Sequence, residues 1–319
     1  INVFNQLQHS ITGWPGGKPN ADDSQRPERA EPAKKRSVIF SPHPDDDVIS
    51  MGGTFIRLVD QGHDVHVAYQ TSGNTAVWDT DVLRYVEFTI DFNKSFGKET
   101  TELERIYEEM RAFLKTKQPN DIDLEEIRDV KAFIRKSEAY AGARYAGLED
   151  QNIHFMALPF YETGKTEKDP VKEIDVELTI ELLQKIKPHQ VFAAGDFADP
   201  HGTHIVCFRI ILEALTRLKD TEEWAKDCWL WMYRGAWDEF ETHEIEMAVP
   251  LSPMEVKKKR HAIFQHQSQK DHPVFPGDDE REFWIRAEER NRETAVNYHK
   301  LGLADYEAME AFVRWKFEN

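Results

Sequence analysis

The period of the hydrophobic positions changes several times along this chain. Residues 37–41 (SVIFS) are a short continuous apolar run, as in a strand buried on both faces. Residues 48–60 (VISMGGTFIRLVD) then place apolar side chains at helical spacing, and residues 64–71 (DVHVAYQT) alternate apolar with polar. Strand, helix and strand in that order begin a parallel sheet. The pattern returns later. Residues 153–158 read as a strand, about 173–187 as a helix ended by Lys187-Pro188, 190–194 as a strand and about 202–218 as a helix. A strand is predicted at 229–233 (WLWMY), and helices at about 253–267 and 281–317. The expected fold class is α/β: a Rossmann-like, mostly parallel sheet flanked by helices.

Two stretches depart from that plan. Residues 77–150 are mostly charged with helical periodicity ("TELERIYEEMRAFLKTK", "DLEEIRDVKAFIRKSEAYAGARYAGL"), which predicts long helices and a helical insertion at about 77–130. Residues 13–36 are rich in Pro, Gly and charge and read as a linker or arm. The stretch before it, "INVFNQLQHSIT", reads as the end of a preceding domain. The expected organisation is an arm over 1–36 and one domain over 37–319. A start at Ile1 without a basic-then-apolar leader suggests a piece of a longer polypeptide.

Of the 319 residues, 40% are hydrophobic, enough for one large core or two small ones. The net charge of -17, from 41 basic and 58 acidic residues, argues against nucleic acid or an anionic membrane as partner, since both need a basic face. It leaves room for an anionic small substrate held in a local basic pocket. Two cysteines, Cys207 and Cys228, make neither a disulfide framework nor a thiolate zinc site, so a cytoplasmic, reducing setting is expected. No apolar run approaches the roughly 18 residues of a membrane span.

The chemistry is concentrated in two clusters. "PHPDDD" follows the first strand and "DPHGTH" follows the strand at 190–194. In a parallel sheet the strand C-termini share one edge, where ligands bind. His43, Asp45, Asp46, His201 and His204 are therefore expected to converge. Two histidines and a carboxylate suit Zn²⁺ with an open position for water. The other reading of three adjacent aspartates is a solvated turn capping the helix at 48.

The residues of these clusters also carry a resemblance. His43-Pro44-Asp45-Asp46 resembles the HPDD signature of the PIG-L/LmbE deacetylases, which usually continues with Glu where this chain has Asp47. His201-Gly202-Thr203-His204 resembles that family's His-x-Asp-His, with Thr203 in place of the acid. "IRKSEAYAGARYAGL" is similar to its Arg-x-x-Glu-Ala helix, and "KKRHAIFQHQSQ" to its late His-x-Ser-Gln segment. The resemblance covers roughly residues 36–75 and 130–275. It implies a zinc-dependent N-deacetylase acting on an N-acetylglucosamine-type amino sugar or conjugate, with another divalent metal left open. By residue, it implies His43, Asp46 and His204 as metal ligands and Asp45 as general base. His201 would be the imidazolium that stabilises the oxyanion or protonates the amine, its missing acid supplied by Asp196 or Asp199. Arg135 and His266 are the candidate substrate-binding residues.

With its arm, the chain looks most like the C-terminal module of a glucosamine-6-phosphate deaminase-like fusion protein. Thr203 keeps a second reading open: a catalytically silent metal-binding module that regulates or scaffolds an attached deaminase-like domain. The expected partners are a small amino-sugar substrate and that fused domain, and a homo-oligomer is left open. Elsewhere the simplest readings are structural. Lys257–Arg260 read as a solvated helix face, Trp229, Trp231 and Trp237 as core, and Gly52-Gly53 as helix packing or substrate approach.

Overall fold

The computed structural model describes residues 2–17, 34–119, 121–165, 168–199, 202–235, 237–271, 273–275, 277 and 279–317. The elements in chain order are α1 (Asn2–Ser10), β1 (Arg36–Ser41), α2 (Asp46–Asp60), β2 (Asp64–Tyr69), α3 (Asp79–Ser95), α4 (Thr101–Thr116), α5 (Glu125–Tyr145) and β3 (Ile153–Phe155). Then come α6 (Glu173–Ile186), β4 (Gln190–Ala194), α7 (Thr203–Thr221), the single turn α8 (Glu223–Lys226), β5 (Trp229–Tyr233), β6 (Met247–Leu251), α9 (Pro253–Ile263), α10 (Phe283–Lys300) and β7 (Ala308–Trp315).

The seven strands form one sheet in the order β3-β2-β1-β4-β5-β7-β6. The first five are parallel, and β7 runs antiparallel to both β5 and β6. This is the α/β, mostly parallel plan expected from the sequence. Alternate residues of the central strands serve two cores. Ile39, Val67 and Phe192 face α2, α5 and α9, while Val38, Phe40 and Val191 face α6 and α7. Burial on both faces is why β1 reads as an unbroken apolar run. Chain order reverses at β1: β2 lies on one side and β4 on the other. The crevice beyond their C-terminal ends is the topological switch point, where such sheets bind ligands.

One sequence expectation fails at the C-terminus. Residues 281–317 are not one helix: α10 stops at Lys300, Gly302 turns with φ 88°, and β7 follows. Ala308, Met309, Glu310 and Ala311 favour a helix locally, but the gap between β5 and β6 makes them a strand, as tertiary context routinely does. Strand β6, unassigned in the sequence, tolerates Pro250 because it is an edge strand.

The insertion is helical. Val82, Val86, Ile90, Met110 and Ile127 form its own small core. At its base, Lys131 Nζ pairs with Asp79 (2.6 Å) and Asp123 (2.8 Å), and Lys117 Nζ with Asp123 (2.7 Å). Helix α5 continues into the main body, where Ala139 and Ala143 join the central core. At the N-terminus, residues 2–17 are docked. Leu7 is buried, Ser10 Oγ lies 2.7 Å from Tyr298 Oη, and Ile11 bridges Ala248 beside the edge strand β6. The rest of the segment read as an arm, 18–33, lies outside the described residues.

His66 and His154 stack across β2 and β3, with Nδ1 and Nε2 3.0 Å apart. Burial lowers both, and the neighbouring His66 helps bring His154 to about 4. The fold therefore favours the neutral pair, whereas the unfolded chain takes up protons below about 6.5. Stability is full above that pH and falls as pH drops toward 4. Melting temperatures from pH 7.5 to 4.5 should decline, and His154→Gln should flatten the decline. An equally steep fall in that variant would assign it to other groups.

Candidate metal centre

The three aspartates after β1 point three ways. Asp46 turns to two histidines: its Oδ2 lies 3.2 Å from His43 Nδ1 and 3.2 Å from His204 Nε2, and it accepts the His43 backbone N–H at 2.9 Å. Asp45 pairs with the buried Arg135 of α5, Oδ1 to Nη2, at 3.1 Å. Asp47 lies below, accepting from Tyr69 Oη at 3.1 Å, while its backbone N–H donates to Ser41 Oγ at 3.1 Å. All three carboxylates are buried, so the solvated-turn reading fails.

Their electrostatics differ accordingly. Burial would raise Asp46, yet the histidines, His204 foremost, hold it well below the usual carboxylate range. Burial raises Asp45 to about 6 against the pull of Arg135. Burial raises Asp47 to about 7, with the Tyr69 hydrogen bond opposing. Burial would lower His204, but the Asp46 carboxylate lifts it to about 9.

His204 reaches this group from the first turn of α7. Asp199 Oδ2 accepts the N–H groups of Thr203 (2.7 Å) and His204 (3.2 Å), satisfying the exposed end of that helix. The Asp196 carbonyl accepts from His204 Nδ1 at 3.1 Å, which fixes the tautomer and turns Nε2 toward Asp46. The Asp196 carboxylate holds the Trp237 and Asp238 N–H groups at 2.6 and 3.1 Å.

These residues fit a metal ion. One donor atom each from His43, Asp46 and His204 lies within 4.8 Å of the others. Although 3.2 Å from Asp46 Oδ2, buried His204 Nε2 makes no well-formed hydrogen bond among the described residues. An imidazole nitrogen oriented by its second nitrogen and left without a donor or acceptor partner suits a metal ligand. His201 lies outside the described residues.

Beside the group opens a cavity of ≈ 780 Å³, mouth included, lined by His43, Asp45, Asp46, Thr75, Arg135, Tyr161, Lys168, Thr203, Gln269 and the aromatic rings of Trp237, Phe275 and Phe283. Arg135 lines it, and its buried Nε and Nη1 have no hydrogen-bond partner among the described residues. Gly73 is required here: at φ 63° a Cβ would lie 3.0 Å from both Arg135 Nε and Pro44 Cδ. His266 does not line the cavity. It is fully buried, close enough to Gly142 that a Cβ there would lie 2.7 Å from its Nε2, and burial and Arg135 lower it to about 3. Gln269, three residues on, lines the cavity instead. Glu138 fixes this late segment by accepting from Ser268 N (2.8 Å) and Oγ (2.7 Å). Trp237 belongs to the cavity wall, whereas Trp231 is core as expected.

Helix α2, which carries Asp46, is broken. Met51 sits at φ -129°, ψ 26°, outside helical values. Glu310 of β7 accepts the N–H groups of Gly53 (3.0 Å) and Thr54 (2.6 Å), while Lys259 Nζ donates to the Ser50 carbonyl at 3.2 Å. Lys259 also meets Glu310 at 2.7 Å and Asn291 Oδ1 at 2.8 Å, and both charged side chains are 1% exposed. A buried ion pair thus satisfies the backbone at the break. Lys259 is therefore not part of a solvated helix face, because Glu310 and two polar oxygens compensate its burial. Gly52-Gly53 permits this packing: a Cβ on Gly53 would lie 2.6 Å from Leu251.

With the site described, the comparisons place the chain. Residues 38–215, more than half of its length, match the family described as GlcNAc-PI de-N-acetylase (PIG-L), and the chain belongs to that family. A glucosamine-6-phosphate deaminase-like protein of Bacteroides thetaiotaomicron is 56% identical over 317 residues, covering 99% of this chain and 48% of its own length. The chain thus spans about half of that curated relative. Two solved structures share the fold. The N,N'-diacetylchitobiose deacetylase of Pyrococcus horikoshii has TM-score 0.54 and 20% identity, with 92% of this chain and 87% of that one covered. GalB, the 4-carboxy-2-hydroxymuconate hydratase of Pseudomonas putida, has TM-score 0.55 and 15% identity, with 89% and 99% covered. A hydratase on the same fold shows that the fold alone does not fix the reaction. Among the described residues no helix is long and apolar enough to cross a membrane.

Removing one partner of the buried pair strands the other. Lys259→Met should cost about 3–5 kcal/mol, and Lys259→Met combined with Glu310→Gln should cost less. Urea denaturation measures both. A loss within about 1 kcal/mol for the single variant would mean that the pair does not hold the break.

Proposed function

We propose that this chain is a zinc-dependent hydrolase that removes the N-acetyl group from an N-acetylglucosamine-type amino sugar or its conjugate. The observation that carries the proposal is the convergence of His43, Asp46 and His204 at the switch point, beside a separately held carboxylate, Asp45. A site that only bound metal would not need that extra buried acid. Membership of a de-N-acetylase family supports the reaction class.

His43, Asp46 and His204 would hold the ion. When bound, zinc supplies Lewis acidity, polarising the acetyl carbonyl and acidifying water. Asp45 takes the proton from the attacking water and passes it to the departing nitrogen as the C–N bond breaks. Its anchor on Arg135 sets the carboxylate's direction. His201 is assigned to the charge developing on the carbonyl oxygen. Arg135, which lines the cavity, is the candidate side chain to meet the sugar. Trp237, Phe275 and Phe283 exclude water on the facing wall. His266, fully buried and absent from the cavity wall, is not part of the proposed substrate contacts.

The name of the 56%-identical Bacteroides thetaiotaomicron relative, of which this chain covers 48%, supports a wider setting in which this module is joined to a glucosamine-6-phosphate deaminase-like domain. Sequential removal of the acetyl and the amino group from one sugar would then be joined in one polypeptide.

The test is an acetate-release screen over N-acetyl sugars and sugar phosphates, run before and after chelation and with zinc restored. Activity should vanish with chelator and return with zinc. Asp45→Asn should retain the metal and lose about 10²–10⁴-fold in kcat. Full activity in Asp45→Asn would remove Asp45 as the base. Metal retention with no acetate released from any substrate would favour the silent module instead.

A further inference from the structure

Among the described residues, the charged groups other than Lys168 that line the cavity each have a partner. Asp46 meets the histidines, Asp45 meets Arg135, and Asp199 holds two helix N–H groups. Lys168 has no carboxylate within ion-pair distance among the described residues, although the chain carries a net charge of -17. Its neighbours in sequence behave as surface lysines do: Lys165 and Lys172 both pair with Asp169, at 3.0 and 3.7 Å. Lys168 turns inward instead. Its Nζ lies 3.8 Å above the centre of the Tyr161 ring and donates to the Lys165 carbonyl at 3.0 Å. The nearby acid Glu162 is occupied by Ser72, whose N and Oγ donate to it at 2.8 and 2.7 Å. Partial burial lowers the Lys168 ammonium from its ordinary value, the sign of a cation held at a desolvation cost.

Tyr161 links this cation to the metal group. The same ring meets His43 edge-on, with centroids 5.9 Å apart, and is fixed by Thr75 Oγ1 at 2.9 Å from its hydroxyl. One aromatic ring therefore separates His43 from Lys168. A single hexose with a charged substituent spans such a distance, with its amide at the metal group and its anion at the ammonium.

We propose that Lys168 forms an anion subsite in this cavity, so that the substrate is an N-acyl amino sugar bearing a phosphate or carboxylate substituent. The identity of the amide as the reacting group rests on the function proposed above, but the subsite is read from Lys168 itself. Among the described residues the Lys168 ammonium makes one carbonyl hydrogen bond and one ring contact, and an ammonium binds phosphate as a point charge, through charge-assisted hydrogen bonds.

Calorimetry on the intact chain with the deacetylated sugars tests this without any turnover. The probes are glucosamine, glucosamine 6-phosphate, glucosamine 1-phosphate and muramic acid, the last to separate a carboxylate from a phosphate. At least one anionic probe should bind 10-fold or more tighter than glucosamine. That ratio should collapse toward one in Lys168→Met and persist in Lys168→Arg. No anionic preference in the unaltered protein, or a preference untouched by Lys168→Met, overturns the subsite. Acetate release is measured in parallel. Its absence alongside a Lys168-dependent preference would refute the deacetylase and keep the subsite. Acetate release from neutral and anionic sugars alike, with equal binding, would do the reverse.

Discussion

Three successive carboxylates buried at the end of one strand set the central constraint on this protein. Left together, they would repel one another in a medium that screens poorly. The chain disperses them: one to a guanidinium, one between two imidazoles, one to a tyrosine hydroxyl below the surface. His43 lies in the same loop, three residues before Asp46, and the other partners arrive from different elements. Arg135 comes from α5, His204 from the start of α7 and Tyr69 from the end of β2, so the sheet order and the helical insertion's root both serve this one cluster. The dispersal also differentiates the acids. Asp46 is kept ionised, whereas Asp45 and Asp47 are held near the point of protonation.

The same constraint explains the break in α2. Its first turn must follow the strand edge to place Asp46, while its remainder packs on the sheet through Phe55 and Leu58. The backbone groups freed between these two tasks are buried and need partners. Glu310 and Lys259 supply them from the last strand and from α9, both beyond the 38–215 region that matches the family. The late part of the chain thus supports the geometry of the early part.

What the sequence revealed and what it hid follow from the range of the forces involved. The elements β1, α2, β2, β4 and α7 were legible because each buries its apolar residues with a clean period. The two histidine clusters were legible because parallel topology brings strand ends to one edge. The buried Lys259 was not: it looks like its neighbours Lys257 and Lys258, and only a partner 51 residues away makes its burial tolerable. Strand β7 was misread because Ala, Met and Glu prefer a helix until flanking strands claim their backbone. The late motif points His266 to the pocket, yet it is fully buried against Gly142 and absent from the cavity wall. The outer cavity residues Tyr161, Lys168, Phe275 and Phe283 lie on loops or a helix start, where no periodicity marks them.

The function proposed above requires a metal ion between His43, Asp46 and His204, the group that the dispersal of the acids leaves together. Diffraction from zinc-loaded crystals at the zinc absorption edge locates that ion directly. The expected result is one strong anomalous peak with donor atoms of these three residues about 2.0–2.2 Å away and Asp45 outside the coordination sphere. A peak elsewhere, or one at this edge of the sheet that His204 does not ligate, would contradict it.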